Sequence, residues 1–431
     1  MRRYLRILGT RGAMWPFLAA FAARLPISMA PLGMVLLVQS VRGTYAIAGA
    51  VTAAFTVGVA LASPGWGALI DRVGQPRVIA PLSAVSCVLL AALALGAVHG
   101  ASDATLLVLA VGVGVAFPPI SPAMRAAWRV ILDDEADRRA AYALEAVVVE
   151  VMFVGGPLLL SALLVLGVDE LPLLIVALLL GAGGIGYALT PAARAWEPEP
   201  HARGAHVRGE SPLRSVGVVA TLAVTVLLAL GFGQLDVSLA ATAEVVLGSQ
   251  ARVGLLFAAI AGGSAIGGTL YGMRHWPGAE PPRLPFVLGA FGVGLGLVTV
   301  FVARGTSTLW LLMPVLFAAG LAIAPAIIML GNLADDCAPR DRLSEAQAWL
   351  TTAFTAGAAG GTALAGLLID RGGPRVGFGG ATLALFGAVA LSLLAQRVWR
   401  HHHIDRESGD RVQSAESAES AEAVESAESR Q

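Results

Sequence analysis

Four charged side chains stand inside stretches of this sequence that are otherwise almost wholly apolar: Arg24, Glu145, Glu150 and Asp236, with Gln234 two residues before the last. A charge held in hydrocarbon costs a few kcal/mol, so each needs a partner or an aqueous cavity. Arg24 lies ten residues into one apolar run and Glu150 about ten into another, which puts both about 15 Å deep if the runs are helices. Opposite sign and matched depth predict that they face each other or share a cavity. Burial and a nearby arginine pull on such a carboxylate in opposite directions, which suits a group that takes up and releases a proton. The alternative is a static ion pair that fixes helix packing. Glu145 lies nearer the arginine-rich end of its run, where Arg138 or Arg125 is the expected partner. Asp236 lies about twenty residues into its run, at the far mouth of a pathway or snorkelling to the surface.

These residues need elements to position them, and composition says what those are. The chain of 431 residues is 56% hydrophobic and 13% charged, with a mean hydropathy of +0.75. Soluble domains are nearer 25% charged, so a bilayer must be part of the solvent. About 20 apolar residues cross the hydrocarbon core as a helix. Such runs fall near 14–39, 45–70, 78–99, 103–124, 140–166 and 170–190. A polar stretch at 191–214 follows, then runs near 215–240, 251–273, 284–303, 307–333, 343–369 and 376–397. The expectation is an all-α membrane protein. A short N-terminal segment (1–13) would lead into six spans (14–190), a linker (191–214), six more spans (215–397) and a disordered acidic tail (398–431).

All 29 basic residues are arginine. With an even number of spans the termini share a side, and that side holds twenty-three arginines against five on the other, with Arg24 inside a run. By the positive-inside rule both termini and the linker are expected in the cytoplasm, in a cell inner membrane. The basic N-terminus and its apolar run resemble a signal peptide, yet the run continues to about Gln39 without a small-residue cleavage site. It is therefore expected to stay as the first span.

Two short stretches echo each other about three hundred residues apart: "GWGALIDRVGQPR" at 65–77 and "GLLIDRGGPR" at 366–375. The halves also echo. "GVAFPPISPAM" (114–124) aligns with "GLAIAPAIIML" (320–330), Pro119 against Pro325, and each is followed by an Asp pair and arginines. Tandem halves around a central site are a transporter architecture.

On these residues the chain resembles the major facilitator superfamily of secondary transporters over roughly residues 14–397. Gly67, Asp71, Arg72, Gly74 and Arg77 match that family's signature in the loop between spans 2 and 3. The resemblance implies twelve transmembrane helices in two pseudo-symmetric six-helix bundles, and a conformational lock at this loop. Asp71 would accept hydrogen bonds from Arg72, Arg125 or Arg129, and Gly67 would let its helix approach a neighbour. The family's second copy of the signature belongs at 267–278, where Gly268 and Arg274 remain without the Asp-Arg pair. The stretch at 366–375 is then a helix end and tight turn on the other side. The resemblance also implies that spans 1, 4, 7 and 10 line the cavity. They offer Met29, Met34, Phe117, Phe232, Gln234 and Met329, a surface suited to apolar cargo. "GGP" at 155–157 resembles an element of exporters, and "AGAAGG" at 356–361 supplies small residues for close approach between the halves.

Other chemistry is excluded or unsupported. Without lysine there can be no phosphate loop of the Walker type. No metal-ligand spacing or nucleophile elbow occurs, and the two cysteines, Cys87 and Cys337, cannot make a disulfide framework. Zero net charge gives no footprint for nucleic acid. The expected function is proton-coupled export of a small apolar or amphipathic compound by a monomer in the lipid bilayer, with no cofactor and no enzymatic activity. An importer, a sugar or amino-acid exporter, and a non-transporting sensor or scaffold on the same fold stay open.

Overall fold

The computed structural model describes residues 2–10, 12–195, 211–274, 276, 280–305, 308–339 and 342–400. Most of the expected linker and the tail from 401, with its three histidines, lie outside the described residues.

Among the described residues, twelve helices are long and apolar enough to cross a membrane: spans 1 to 12 are Met14–Arg42, Tyr45–Val73, Gln75–Val98, Asp103–Ile131, Glu135–Leu164, Leu171–Ala188, Val216–Val246, Gln250–Met273, Leu284–Ala303, Leu309–Cys337, Glu345–Gly372 and Pro374–Arg400. Most differ from the apolar runs by only a few residues at either end. Span 5 differs most at its start, beginning five residues early. There Asp134 caps the helix by accepting from the Asp137 backbone N–H at 3.0 Å. The polar sequence "EADRR" is thus the first turn of a helix, which an apolar count passes over.

The internal repeat is visible in packing. Spans 2 and 4 cross at Gly58 and Gly114, and spans 8 and 10 cross at Gly263 and Gly320. A Cβ on Gly58 would lie 3.1 Å from the Gly114 Cα, and one on Gly263 would lie 3.1 Å from the Gly320 Cα. In both halves only hydrogen fits between the backbones. The "AGAAGG" run of span 11 serves the interior of its own half: Gly357 and Gly361 lie against span 7 at Val226 and Leu230. This corrects the expectation that the run packs between halves. That task falls to neighbouring residues, where Gly49 of span 2 meets Thr362, and Gly366 meets Tyr45 and Ala46.

Three spans are interrupted. Span 1 breaks at Leu25, ahead of Pro26. Span 4 breaks between Val115 and Ile120, where Pro118 and Pro119 remove two donors. Span 10 breaks at Leu321 and Ala322, just before Pro325. Each break lies about 16–22 Å from the arginine-rich end at 1.5 Å per residue. Irregular backbone at membrane depth is tolerated where protein or a water-filled cavity surrounds it. The Trp66 indole N–H donates to the Val115 carbonyl that the span 4 break leaves free.

Candidate functional site

Arg24 ends the first half of span 1 and is almost wholly buried. Its guanidinium forms an ion pair with Glu145 of span 5, and its Nε–H donates to the Ala20 carbonyl at 3.2 Å. The other Glu145 oxygen accepts from the Trp128 indole N–H at 3.0 Å. Tyr187 stands within electrostatic reach of both charges. It donates to Gln75 at 2.8 Å, and Gln75 donates to the Ala123 carbonyl at 3.2 Å. Spans 1, 3, 4, 5 and 6 therefore meet around one buried charge pair. The Arg24 Nη2 group has no hydrogen-bond partner there.

The partner of Arg24 is Glu145, and the expected pairing with Glu150 is corrected. With span 5 starting at Glu135, Glu145 is ten residues in, the same depth as Arg24 in span 1. Glu150 is one and a half turns deeper and about 140° round the helix. It is partly exposed and makes no hydrogen bond or ion pair with a described residue. Glu145 accordingly pairs with neither Arg138 nor Arg125.

Asp236 occupies a different place. From Gly231 to Ala243 every residue of span 7 is buried or partly so except Asp236. A lipid-facing stripe would also expose positions three, four and seven residues away. Ala229, Gly233, Leu239, Ala240 and Ala243 are all buried, and Phe232 is partly so. The exposure of Asp236 is thus isolated, and its carboxylate opens into space inside the bundle. Asp236 forms no hydrogen bond or ion pair with a described residue.

Gln234 does not share that space. It is buried against Gly380 of span 12, and its Nε2 donates to the Leu230 carbonyl at 3.3 Å. Met29, Met34 and Met329 are buried too, so the expected methionine surface is core packing. Phe232 packs at 5.4 Å on Phe291 and 5.7 Å on Phe354, and Phe117 packs edge-on to Phe55 at 5.7 Å. Both phenylalanines remain partly exposed.

Among the described residues, hydrogen bonds that join the two halves lie at the end opposite the termini. The last turn of span 7 widens into a π turn over Thr242–Val246. It presents Glu244 to Gln39, which donates at 3.0 Å, and to the Tyr45 hydroxyl. Gln250 donates to Gln39 at 3.0 Å. Asp370 accepts from the backbone N–H groups of Tyr45 at 2.7 Å and Ala46 at 2.9 Å. The Gly254 N–H donates to Ser161 at 2.7 Å, beside the "GGP" of span 5. None of these partnerships is evident from apolar runs. The echo at 366–375 was the one sequence signal pointing to Asp370.

At the arginine-rich end the signature is laid out differently from expectation. Asp71 makes no ion pair or hydrogen bond with a described residue, so the expected pairs with Arg72, Arg125 and Arg129 are not formed. Arg125 lies over the Tyr142 ring at 5.9 Å. Arg72 and Arg129 are exposed, and Arg77 donates to the Val73 carbonyl at 3.2 Å. A Cβ on Gly67 would meet nothing within 4 Å, so no helix approaches it. Gly74 has φ 91° and ends span 2, a conformation that favours glycine. Leu61 of span 2 is 77% exposed. The hydrogen bonds just described thus join the halves at one end, and at the other the face of Gly67 and the side chain of Leu61 stand open.

A sequence model described as Major Facilitator Superfamily matches residues 16–346. No curated protein matches the chain. Among solved structures, a peptide transporter of the POT type is 14% identical with a TM-score of 0.67, covering 91% of this chain and 95% of its own. A bacterial homolog of the human lysosomal transporter Spinster, solved inward-facing and unoccupied, is 16% identical with a TM-score of 0.66, covering 90% and 98%. A mutant of the nucleoside transporter NupG is 13% identical with a TM-score of 0.64, covering 90% and 99%. At these identities the likeness is one of fold. With the family match over most of the chain, the repeated halves and the signature loop, the chain belongs to the major facilitator superfamily.

Proposed function

We propose that this transporter exports a small apolar or amphipathic compound across the cell membrane in exchange for protons, by alternating access. The observation that carries the proposal is the isolated exposure of Asp236 in an otherwise buried stretch of span 7. A carboxylate open to internal water, with no basic partner, can take a proton or meet a cargo's positive group. It lies eight residues, about 12 Å, from Glu244 in the closed end. The partly exposed rings of Phe117 and Phe232 give apolar cargo a surface. Read by the positive-inside rule, the end where Gly67 and Leu61 stand open is the cytoplasmic one, and we take the arrangement as inward-open, ready to receive cargo from inside. The Spinster homolog, inward-facing and unoccupied, has the same overall fold. The buried Arg24–Glu145 pair is the second proposed coupling element, because parting the two charges would loosen spans 1 and 5.

Inside-out vesicles loaded with acid and screened with amphipathic compounds test this. Compound-dependent proton loss is expected from the wild-type protein and should vanish in Asp236→Asn. Proton loss that persists at the wild-type rate in that variant overturns the role of Asp236. A folded wild-type protein that moves no protons with any compound overturns proton-coupled export.

A further inference from the structure

Between spans 8 and 9 the chain keeps Gly268 and Arg274 without an Asp-Arg pair, and an aromatic and cationic cluster stands in that place. Arg274 is one residue past the end of span 8, and Arg283 is one residue before the start of span 9. Both therefore leave the backbone where helices pass from hydrocarbon into the headgroup region. Trp276 lies between them. Its ring stacks on Tyr271 at 5.6 Å and 22°, and its indole N–H donates to the Tyr271 carbonyl at 3.0 Å. The Arg274 guanidinium stands 5.0 Å from the same ring, and that of Arg283 stands 5.9 Å from it. One tryptophan, held by span 8, thus carries two cations against it.

Glu280, the one acid between spans 8 and 9, is turned into the protein. One of its oxygens accepts from the Tyr271 hydroxyl at 3.2 Å and from Asn332 of span 10 at 2.8 Å, and the other is enclosed. Arg274 is exposed and forms no hydrogen bond or ion pair with a described residue. Gln396 near the end of span 12 donates to the Pro281 carbonyl at 2.6 Å, which brings that end, with the exposed Arg397 and Arg400, to the same corner. The corner is strongly basic, and towards the membrane it is apolar. Ile266, Leu270 and Met273 fall at four- and three-residue spacing on one face of span 8. All three are exposed, Met273 by 79%, and Phe286 in the first turn of span 9 is 80% exposed. Spans 8 and 9 both pack on span 10, Gly263 and Gly267 at Phe317 and Leu321, and Gly294 at Ala319.

We propose that Arg274, Trp276 and Arg283 bind the phosphate headgroup of an anionic phospholipid in the leaflet on the arginine-rich side, with its acyl chains along the exposed face of span 8. The charge is complementary: guanidinium groups donate in a fork that fits phosphate oxygens, and basic side chains at this level draw anionic lipid. A zwitterionic lipid offers the same phosphate but adds a cation of its own, which a corner this basic repels. The level is right as well, since tryptophan settles at the boundary between hydrocarbon and water. A free phosphate would satisfy the arginines but leave Leu270, Met273 and Phe286 bare, so the apolar stripe favours a lipid over a soluble anion. Glu280 bonds to spans 8 and 10, and Pro281 bonds to span 12. A lipid held at this loop therefore braces the ends of the helices that the loop touches.

Full-length protein in phosphatidylcholine nanodiscs is titrated with brominated phosphatidylglycerol or brominated phosphatidylcholine, and tryptophan quenching is read. Subtracting the signal of Trp276→Phe separates Trp276 from the rest of the eight tryptophans. No cargo or gradient is present, so the readout is the same whatever the protein transports. Brominated phosphatidylglycerol is expected to quench Trp276 at a clearly lower mole fraction than brominated phosphatidylcholine. Arg274→Gln is expected to raise that mole fraction about fivefold, the scale of one arginine near an anionic surface, and Arg274→Gln with Arg283→Gln to abolish the preference. If the double variant does not insert, Arg274→Gln alone carries the test, because Arg274 is exposed and bonds to no described residue. Equal quenching by the two lipids overturns the site, as does a preference that Arg274→Gln leaves unchanged. Inorganic phosphate added at constant ionic strength is expected to leave the preference in place. Its loss would assign the arginines to a soluble anion and overturn the lipid.

Discussion

Arg24 and Glu145 pair across two spans, with side chains 1% and 5% exposed. Removing one partner of such a pair strands a buried charge, whereas replacing both with apolar groups of similar volume removes the need for pairing. Arg24→Ala should therefore cost about 3–5 kcal/mol, read as a large fall in the melting temperature of purified protein. The double variant Arg24→Met with Glu145→Leu should recover most of that loss. Additive losses in the double variant would show that the two side chains act independently. If the double variant is stable yet inactive in vesicles, the pair serves transport as well as packing.

Asp236 has no partner to lose, so Asp236→Asn should leave stability within about 0.5 kcal/mol of wild type. Its expected effect is on cargo-dependent proton movement alone. A melting temperature that falls as far as that of Arg24→Ala would place Asp236 in the packing of the bundle.

Glu150→Gln should change neither stability nor transport by a measurable amount, because Glu150 is partly exposed and meets no described partner. Loss of transport in this variant, with the melting temperature unchanged, would return Glu150 to the coupling pathway in another conformation.

Gly58→Ala and Gly263→Ala should destabilise to similar extents, about 1–3 kcal/mol each, as overpacked sites do. In both, the added methyl meets backbone, which has little room to move. Equal losses in melting temperature would show the repeat in energetic terms. Tolerance at either position would mean the helices part there at small cost.

The spans were legible because hydrocarbon length sets a period that composition reveals, and their number and pairing by halves follow from it. Polar helical turns were not. "EADRR" at the start of span 5 contains no apolar signal, and missing it moved the depth of Glu145 by five residues and gave Arg24 the wrong partner. The rule of matching depth was sound; the origin was misplaced. Gln234 and the methionines illustrate a second limit. Which face of an apolar helix meets a cavity and which meets another apolar helix is set by tertiary packing, because both faces read alike. Asp71 shows a third: one sequence serves several conformations, and a contact expected for one of them is absent in another.

The reach of Asp370 to the first turn of span 2 carries a consequence for how such a sequence can change. One residue inserted in span 11 between Thr362, which meets Gly49, and Asp370 would rotate the carboxylate by about 100° and displace it by about 1.5 Å, turning it away from the Tyr45 and Ala46 N–H groups. Insertions there fit only in steps close to whole helical turns. A count of residues is thus held fixed in one span by a contact with another more than three hundred residues away, as a key is cut to the depth of its lock.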